Sequence, residues 1–209
     1  MMTPLAWVFL FTALLLGSFL AANYLVARGV PFHLARKVAH LSAGVPIGLS
    51  PIVFPSVWFP FGLALGFMAL LTLSHQIDLL PGVSRRGRWS EVGFPMAVLL
   101  CLTLWPVSPW AAVLPGLWVA VGDGVAGLVR ALVYKRPCKG LWGSVACIAL
   151  CAPFAVLVQP LWVGALGAIG FTVVEYLSGD VAPIKIDDNL AAPVAAAVIM
   201  GVALLIGGT

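Results

Sequence analysis

Long apolar segments follow one another along nearly the whole chain, and this feature restricts its fold more than any other. A helix needs roughly 20 apolar residues to cross a bilayer. Of the 209 residues, 62% are hydrophobic and 9% are charged, whereas a soluble domain carries about 25% charged residues. We therefore expect an all-α, polytopic integral membrane protein with a single membrane-embedded domain. The sequence predicts eight spans, at about 4–27, 36–54, 57–76, 90–106, 109–133, 140–159, 161–178 and 188–207.

The basic residues lie at alternate connections between these segments. All eleven fall at the first, third, fifth and seventh connections, and none falls at the other three or at either terminus. Connections rich in lysine and arginine remain in the cytoplasm. The pattern therefore predicts that both termini are non-cytoplasmic. The eleven residues are Arg28, Arg36, Lys37, Arg85, Arg86, Arg88, Arg130, Lys135, Arg136, Lys139 and Lys185.

This topology places the first turns of the second, fourth, sixth and eighth spans at the cytoplasmic face. A first turn has unpaired N–H groups and the positive end of the helix dipole, and both attract phosphates. The polar residues of the chain also gather at these helix ends. We therefore expect an anion-binding site at the cytoplasmic face.

An acidic residue, Asp123, lies inside the fifth apolar segment between Gly122 and Gly124. Carboxylates within a membrane are costly and are usually functional. The flanking glycines let a ligand or another helix approach the backbone closely. The alternative is a structural carboxylate that pairs with a basic residue where helices pack.

A basic connection follows this carboxylate. Lys135 and Lys139 precede Gly143 and Ser144, which begin the sixth span. A lysine, a glycine backbone and a hydroxyl at a helix start suit a phosphate group, although a helix cap with small-residue packing gives the same pattern. Together with Asp123, the stretch predicts a site for a metal-bound phosphate.

Basic residues also open the second span, where Arg36 and Lys37 precede His40. Lys37 and His40 are three residues apart and share a helix face. The functional interpretation is a phosphate clamp with a histidine one turn deeper. The alternative is charge that sets the topology, with side chains that extend to the membrane surface.

The third connection carries three arginines, which we expect to contact lipid headgroups. Glu91 follows them at the start of the fourth span. It can interact with the helix dipole or pair with an arginine, and it is a candidate catalytic residue.

Acidic residues cluster around the last connection. Glu175 lies near the end of the seventh span, and Asp188 and Asn189 begin the eighth. Either Asp188 or Asn189 would cap that helix, but the acidic residues here exceed what a cap needs. Carboxylate oxygens suit Mg²⁺, so we predict that Glu175, Asp188 and Asn189 act as a functional group at a metal site.

The four cysteines include no CxxC pair. Cys147 and Cys151 lie one turn apart in an apolar segment. We expect them to be small packing residues rather than partners in a disulfide or a metal site.

In chain order, these motifs resemble those of the CTP-dependent lipid alcohol kinases, a family that includes phytol, farnesol and dolichol kinases and the CTP-type diacylglycerol kinase. Compact phytol kinase-like members look most similar. One departure is that Arg130 stands where the family has a glycine after its GDG motif. The matching motifs span about three quarters of the chain: RK-x-x-H at Arg36–His40, S-E-x-G-x-P at Ser90–Pro95, GDG-x-A at Gly122–Ala126, K-x-x-x-G-S at Lys139–Ser144, Glu175, and DN-L-x-x-P at Asp188–Pro193.

The resemblance implies transfer of the γ-phosphate of CTP to the hydroxyl of a membrane isoprenoid alcohol, such as phytol, geranylgeraniol or a polyprenol. The expected partners are the lipid alcohol, the nucleotide and the bilayer, with no nucleic acid. Mg²⁺ would be held by Asp123 with Asp188 or Glu175. The candidate bases are His40, Asp123 and Glu91. The groups expected to neutralise or contact phosphate are Arg36, Lys37, Gly122, Gly124, Lys135, Lys139, Gly143, Ser144 and Asn189.

Two other functions fit parts of the pattern. Phosphatidate cytidylyltransferases also combine membrane helices, a lysine with small residues and acidic metal ligands, and they release pyrophosphate rather than CDP. A small transporter would use Asp123 and Glu175 as a proton or cation path. Its weakness is that the polar residues cluster toward one face and none marks a route to the other.

Overall fold

The described part of the chain is helical. The computed structural model describes residues 3–83, 90–135, 138–178 and 187–207, with the backbone alone described at 33, 43, 47, 90 and 91. Within these ranges there is no strand, which confirms the predicted all-α class. The helices are α1 (Pro4–Ala27), α2 (Phe32–Val53), α3 (Trp58–Ile77), α4 (Ser90–Cys101), α5 (Pro109–Trp118), α6 (Gly124–Tyr134), α7 (Leu141–Ala155), α8 (Leu161–Leu177) and α9 (Asp188–Gly207).

Each predicted span contains a helix, although the ends differ. A 3₁₀ turn (Leu102–Leu104) extends α4, and a π-helical segment (Val119–Asp123) joins α5 to α6. The second helix begins at Phe32 rather than near residue 36. The predicted arginine cluster at 85–88, together with Arg136 and Lys185, lies outside the described residues.

Four helical segments are long and apolar enough to cross a membrane: Pro4–Ala27, Trp58–Ile77, Pro109–Tyr134 and Asp188–Gly207. The segments Val92–Leu104, Leu141–Ala155 and Leu161–Leu177 are also apolar but shorter. The fold is therefore compatible with a membrane protein.

Local sequence signals set several helix ends. At the starts of α1 and α5, Thr3 and Ser108 accept hydrogen bonds from the N–H groups of Ala6 and Ala111, at 3.3 and 3.2 Å. Each capping residue precedes a proline, whose fixed φ suits the first turn of a helix. The end of α6 lies at Lys135, which has a left-handed φ of 51°.

The continuous helix from Pro109 to Tyr134 is largely buried and forms the centre of the fold. Trp118 lies at its middle, fully buried, and its Nε1 donates a hydrogen bond to the carbonyl of Cys151 at 3.1 Å. The ring packs against Phe171 of α8 with centroids 6.0 Å apart. The core around Trp118 also includes residues of α7 and α9. This helix is therefore surrounded by other helices, while α1 and α3 have more exposed surfaces.

A glycine brings α2 close to the central helix. A Cβ atom added at Gly44 would lie 2.5 Å from the Cβ of Ala120. Such a contact is too short for any larger residue, so the two backbones approach closely in the manner of small-residue helix packing. Two turns before Gly44, the same helix face carries Lys37, which reaches Asp123.

The cysteines of α7 pack against the central helix. A Cβ added at Gly122 would lie 2.7 Å from the Sγ of Cys151 and 3.1 Å from the Sγ of Cys147. Both thiols are free and buried, with their sulfur atoms 4.0 Å apart. The prediction that they are packing residues is confirmed.

Candidate functional site

Three carboxylates that lie far apart in the sequence converge on one point. Asp123 ends the π-helical segment, Glu175 lies in the last turn of α8, and Asp188 begins α9. One oxygen from each of the three lies within 4.8 Å of the others. These are the three residues that the sequence predicted as metal ligands.

Lys37 pairs with the first of these carboxylates. Its Nζ lies 2.7 Å from Oδ2 of Asp123 and donates a second hydrogen bond to the carbonyl oxygen of the same residue at 3.1 Å. The stem of the lysine crosses Gly127, where an added Cβ would lie 2.8 Å from the lysine Cε. Helix α6 therefore leaves space for the lysine to lie along it.

Arg130 and Glu175 form a two-pronged ion pair. Nη1 and Nη2 of Arg130 donate to Oε1 and Oε2 of Glu175, each at 2.8 Å, which is the strongest geometry for this pair. A Cβ at Gly143 would collide with the arginine side chain. Gly143 therefore makes room for Arg130, which explains its small size without a phosphate contact.

The sequence pattern placed Arg130 among the basic residues of the fifth connection, and this placement is wrong. The residue lies inside α6, is 6% exposed, and is paired within the site. The signal that could have found it was its position: it follows Asp123 by two helical turns, in a segment otherwise apolar enough to span a membrane.

Lys139 connects the other two carboxylates. Its Nζ lies 2.5 Å from Oε1 of Glu175 and 2.8 Å from Oδ2 of Asp188, and it also donates to the carbonyl oxygen of Glu175 at 2.7 Å. Burial alone would lower the pKa of this lysine. The charges of Asp188 and Glu175 outweigh that effect and raise the pKa, so Lys139 is protonated at neutral pH.

The cluster is formally neutral, because three carboxylates face Lys37, Arg130 and Lys139. Both oxygens of Glu175 are engaged by cations. Among the described contacts, one oxygen of Asp123 and one of Asp188 are engaged, both by lysines. The second oxygens of these two aspartates are therefore the ones best placed to accept a metal ion.

The donor set fits Mg²⁺. This ion binds oxygen ligands at about 2.0–2.1 Å, which puts ligands on opposite sides about 4.2 Å apart, and it usually takes only one or two protein carboxylates besides phosphate and water. The three carboxylate oxygens lie within 4.8 Å of one another, a limit somewhat larger than that distance. Asp123 and Asp188 could therefore hold the ion with small side-chain adjustments.

The start of α9 has a capping residue of its own, Asp187. Its Oδ1 accepts a hydrogen bond from the N–H of Asn189 at 2.8 Å, and its carbonyl accepts one from the N–H of Ala191 at 2.9 Å. The alternative in which Asp188 or Asn189 serves as the cap is therefore not needed. The carboxylate of Asp188 is therefore available to the cluster. The neighbouring Asn189 is 2% exposed.

His40 lies one turn beyond Lys37 and faces an apolar space. Its ring stacks on Phe94 of α4, with centroids 5.7 Å apart and an angle of 20° between the rings. The side chain is 6% exposed, and Nδ1 has no hydrogen-bond partner within the described part of the chain.

The remaining predicted residues have varied surroundings. Gly124 is in ordinary contact with Leu41, 3.4 Å from a Cβ built there. Ser144 lines a groove between α7 and α8 together with Thr172 and aliphatic side chains. Lys135 is exposed, and Arg36 is half-buried on α2. The backbone of Glu91 lies in the first turn of α4, and its side chain falls outside the described atoms.

The first turn of α4 is nevertheless close to that of α9. A Cβ added at Gly93 would lie 3.4 Å from the Cβ of Leu190 and 3.7 Å from the carboxylate carbon of Asp187. The S-E-x-G-x-P motif and the DN-L-x-x-P motif therefore adjoin each other in space.

Comparison of the chain with models of known protein families, with curated proteins and with solved structures finds no match.

Proposed function

We propose that this protein is a membrane kinase that transfers the γ-phosphate of CTP to the hydroxyl of a long-chain isoprenoid alcohol. One observation supports this most strongly. The charged residues of four separate sequence motifs meet with Glu175 and Arg130 as one formally neutral cluster, in which the three carboxylates each place an oxygen within 4.8 Å of the others. Phosphoryl transfer depends mainly on positioning and on the electrostatic stabilisation of phosphate oxygens.

The residues would divide the work according to their contacts. Asp123 and Asp188 would hold the Mg²⁺ that accompanies the nucleotide. When bound there, the ion would help to neutralise the negative charge on the phosphate during transfer. Lys37 and Lys139, each bonded to one of these aspartates, are placed to turn toward phosphate oxygens when a metal takes the carboxylates.

Glu175 would be a positioning residue rather than a metal ligand. Both of its oxygens are already held by Arg130 and Lys139. It orients these two cations, and it neutralises the positive charge of the buried arginine.

We further propose eight membrane spans, with both termini non-cytoplasmic and the site facing the cytoplasm. The contacts that support this arrangement join the beginning of α2 to Asp123 of the central helix, and join Lys139, two residues before α7, to the end of α8 and the beginning of α9. In an up-and-down bundle of eight spans, these ends lie at the same face, and the basic connections assign that face to the cytoplasm.

A transfer assay tests the proposed reaction. The purified protein in lipid nanodiscs is given Mg²⁺ with CTP or ATP, and each is offered phytol, geranylgeraniol, a polyprenol or diacylglycerol. The expected products are a lipid monophosphate and CDP. Release of pyrophosphate with formation of a CDP-lipid would instead identify a cytidylyltransferase, and no nucleotide turnover with any acceptor would refute both enzymes.

A further inference from the structure

A largely apolar cavity of about 70 Å³ lies between α1, α2, α3, α4 and α5, next to the charged cluster. Its polar lining residues are His40 and Ser50, both on α2. The rest of the lining consists of aliphatic, aromatic and proline side chains. Such a lining excludes a nucleotide, whose phosphates and sugar would have few hydrogen-bond partners there.

The residues that line the cavity are spread over a considerable length of two helices. Along α2 it extends from His40 past Pro46 to Ser50, which is about 15 Å at the rise of an α-helix. On α3 it is lined from Pro60 to Leu71, a similar length. A cavity needs about 10–15 Å³ to hold one water, so a volume of about 70 Å³ is small for this length. A space of this length and volume suits one hydrocarbon chain better than two side by side.

One end of the cavity adjoins the site. His40 follows Lys37 by three residues, about 4.5 Å along the helix, and Lys37 is bonded to Asp123. His40 is 6% exposed, and its Nδ1 has no hydrogen-bond partner among the described residues. A buried polar atom without a partner is costly, and the ring that carries it lines the cavity, so a hydroxyl group bound at this end would supply a partner.

We infer that this cavity holds the single hydrocarbon chain of the acceptor alcohol, with its hydroxyl hydrogen-bonded to His40 Nδ1 beside Asp123. That the bound alcohol accepts a phosphate rests on the proposed kinase activity, but the binding of the alcohol in the cavity does not depend on that activity. The inference predicts that prenyl alcohols with a single chain are substrates. It excludes diacylglycerol, because the second acyl chain has no space.

Binding is tested first, without nucleotide. A geranylgeraniol analogue with a photoactivatable diazirine near its tail is irradiated with the wild-type protein in nanodiscs, and labelled peptides are mapped. We expect labelling on α2, α3 and α4 residues that line the cavity. We also expect excess geranylgeraniol, but not diacylglycerol, to prevent it. Labelling confined to lipid-facing residues elsewhere, or equal competition by diacylglycerol, would overturn the inference.

Filling the cavity gives an independent measurement. Ala64 on α3 lines the cavity, whereas Ala69 on the same helix is exposed and does not. Ala64→Phe should reduce specific labelling by at least tenfold, and Ala69→Phe should leave it unchanged. If Ala64→Phe does not fold, Ala64→Leu is used and a smaller loss in the same direction is expected. Folded Ala64 variants that label as well as wild type would contradict the inference.

The role of His40 is tested by comparing the kinetic constants for the two substrates, geranylgeraniol and CTP. His40→Phe should raise the KM for geranylgeraniol or lower kcat while leaving the KM for CTP unchanged. His40→Asn, which offers a polar atom near the position of Nδ1, should recover part of the loss. An equal change in the KM for CTP would mean that His40 acts on the nucleotide.

The two proposals fail in different ways. Mapped, competed labelling without any phosphate transfer would refute the kinase and keep the cavity as a lipid alcohol site. Phosphate transfer with labelling elsewhere would keep the kinase and refute the cavity.

Discussion

Arg130 and Glu175 are almost fully buried, at 6% and 0% exposed, and each satisfies the charge of the other. Removal of both charges from such a pair can be nearly neutral, whereas removal of one leaves an uncompensated charge in a poorly solvated place. The pair therefore affects both stability and the position of Lys139, which is bonded to the same glutamate. These two effects can be separated by experiment.

Arg130→Met should lower the free energy of unfolding by about 3–5 kcal/mol, because Glu175 loses its two-pronged partner. The measurement is the thermal unfolding temperature in detergent, followed by circular dichroism. The double variant Arg130→Met with Glu175→Met should recover most of this stability and remain inactive, because Lys139 then lacks its glutamate. A double variant no more stable than the single one would contradict the assigned pairing.

Asp123→Asn should reduce phosphate transfer by at least about 100-fold, because the amide cannot bind Mg²⁺ as a carboxylate does. It should leave membrane insertion intact. Asp78→Asn is the matched control, since Asp78 is exposed outside the cluster at a left-handed φ of 54° that asparagine also tolerates. Full activity of Asp123→Asn would remove the argument for a metal site at this position.

At the scale of the elements, the helix from Pro109 to Tyr134 does most of the positioning. Its π-helical segment, Val119–Asp123, ends at the catalytic candidate. π-helical turns contain an extra residue and are frequent at functional sites. Here the turn coincides with close contacts on two sides, to α2 near Ala120 and to α7 at Gly122.

The contacts of Gly122 decide between two interpretations of this glycine, namely close approach of a ligand and close approach of a helix. A Cβ here would lie 2.7 Å from the Sγ of Cys151, so Gly122→Ala should cost about 1–3 kcal/mol of stability through overpacking. Cys151→Ala removes the sulfur and should restore part of that loss in the double variant. Thermal unfolding of all four proteins gives the coupling energy. A folded Gly122→Ala protein with normal stability and a raised KM for CTP would instead favour a nucleotide contact.

At the scale of the whole molecule, the charged cluster joins α2, the central helix, the α6–α7 connection, α8 and α9. The cavity lies on the other side of His40, among α1 to α5. The proposed nucleotide site would thus be reached from the aqueous phase, and the proposed lipid site from the bilayer. The two sites would adjoin each other between two groups of helices.

The native cysteines provide a test of the proposed orientation. Cys138 is partly exposed in the connection between α6 and α7, whereas Cys101, Cys147 and Cys151 are buried. A membrane-impermeant maleimide should therefore label wild-type protein in inside-out vesicles but not in right-side-out vesicles. Cys138→Ser serves as the control and should abolish the labelling. Labelling from the outer side would reverse the topology and place the cluster at the non-cytoplasmic face.

The sequence determined the class of the fold and the positions of its helices. Apolar segments, prolines and the capping residues Thr3 and Ser108 each affect only the helix in which they lie or which they begin. Their effects can therefore be predicted from the local sequence. The same holds for the acidic residues of the cluster, because a carboxylate in an apolar segment is conspicuous wherever it finally lies. The crossing of a membrane by all eight segments, and the orientation of the termini, stay predictions.

Only the tertiary structure decided which charges pair. The partners Lys37 and Asp123 are 86 residues apart, Arg130 and Glu175 are 45 apart, and Lys139 and Asp188 are 49 apart. These pairings depend on how each helix is rotated about its axis and how closely its neighbours approach, which is set by contacts such as Gly44 on Ala120. No local pattern encodes that rotation, and this is why Arg130 was assigned to a connection between spans and why the cavity at His40 could not be foreseen.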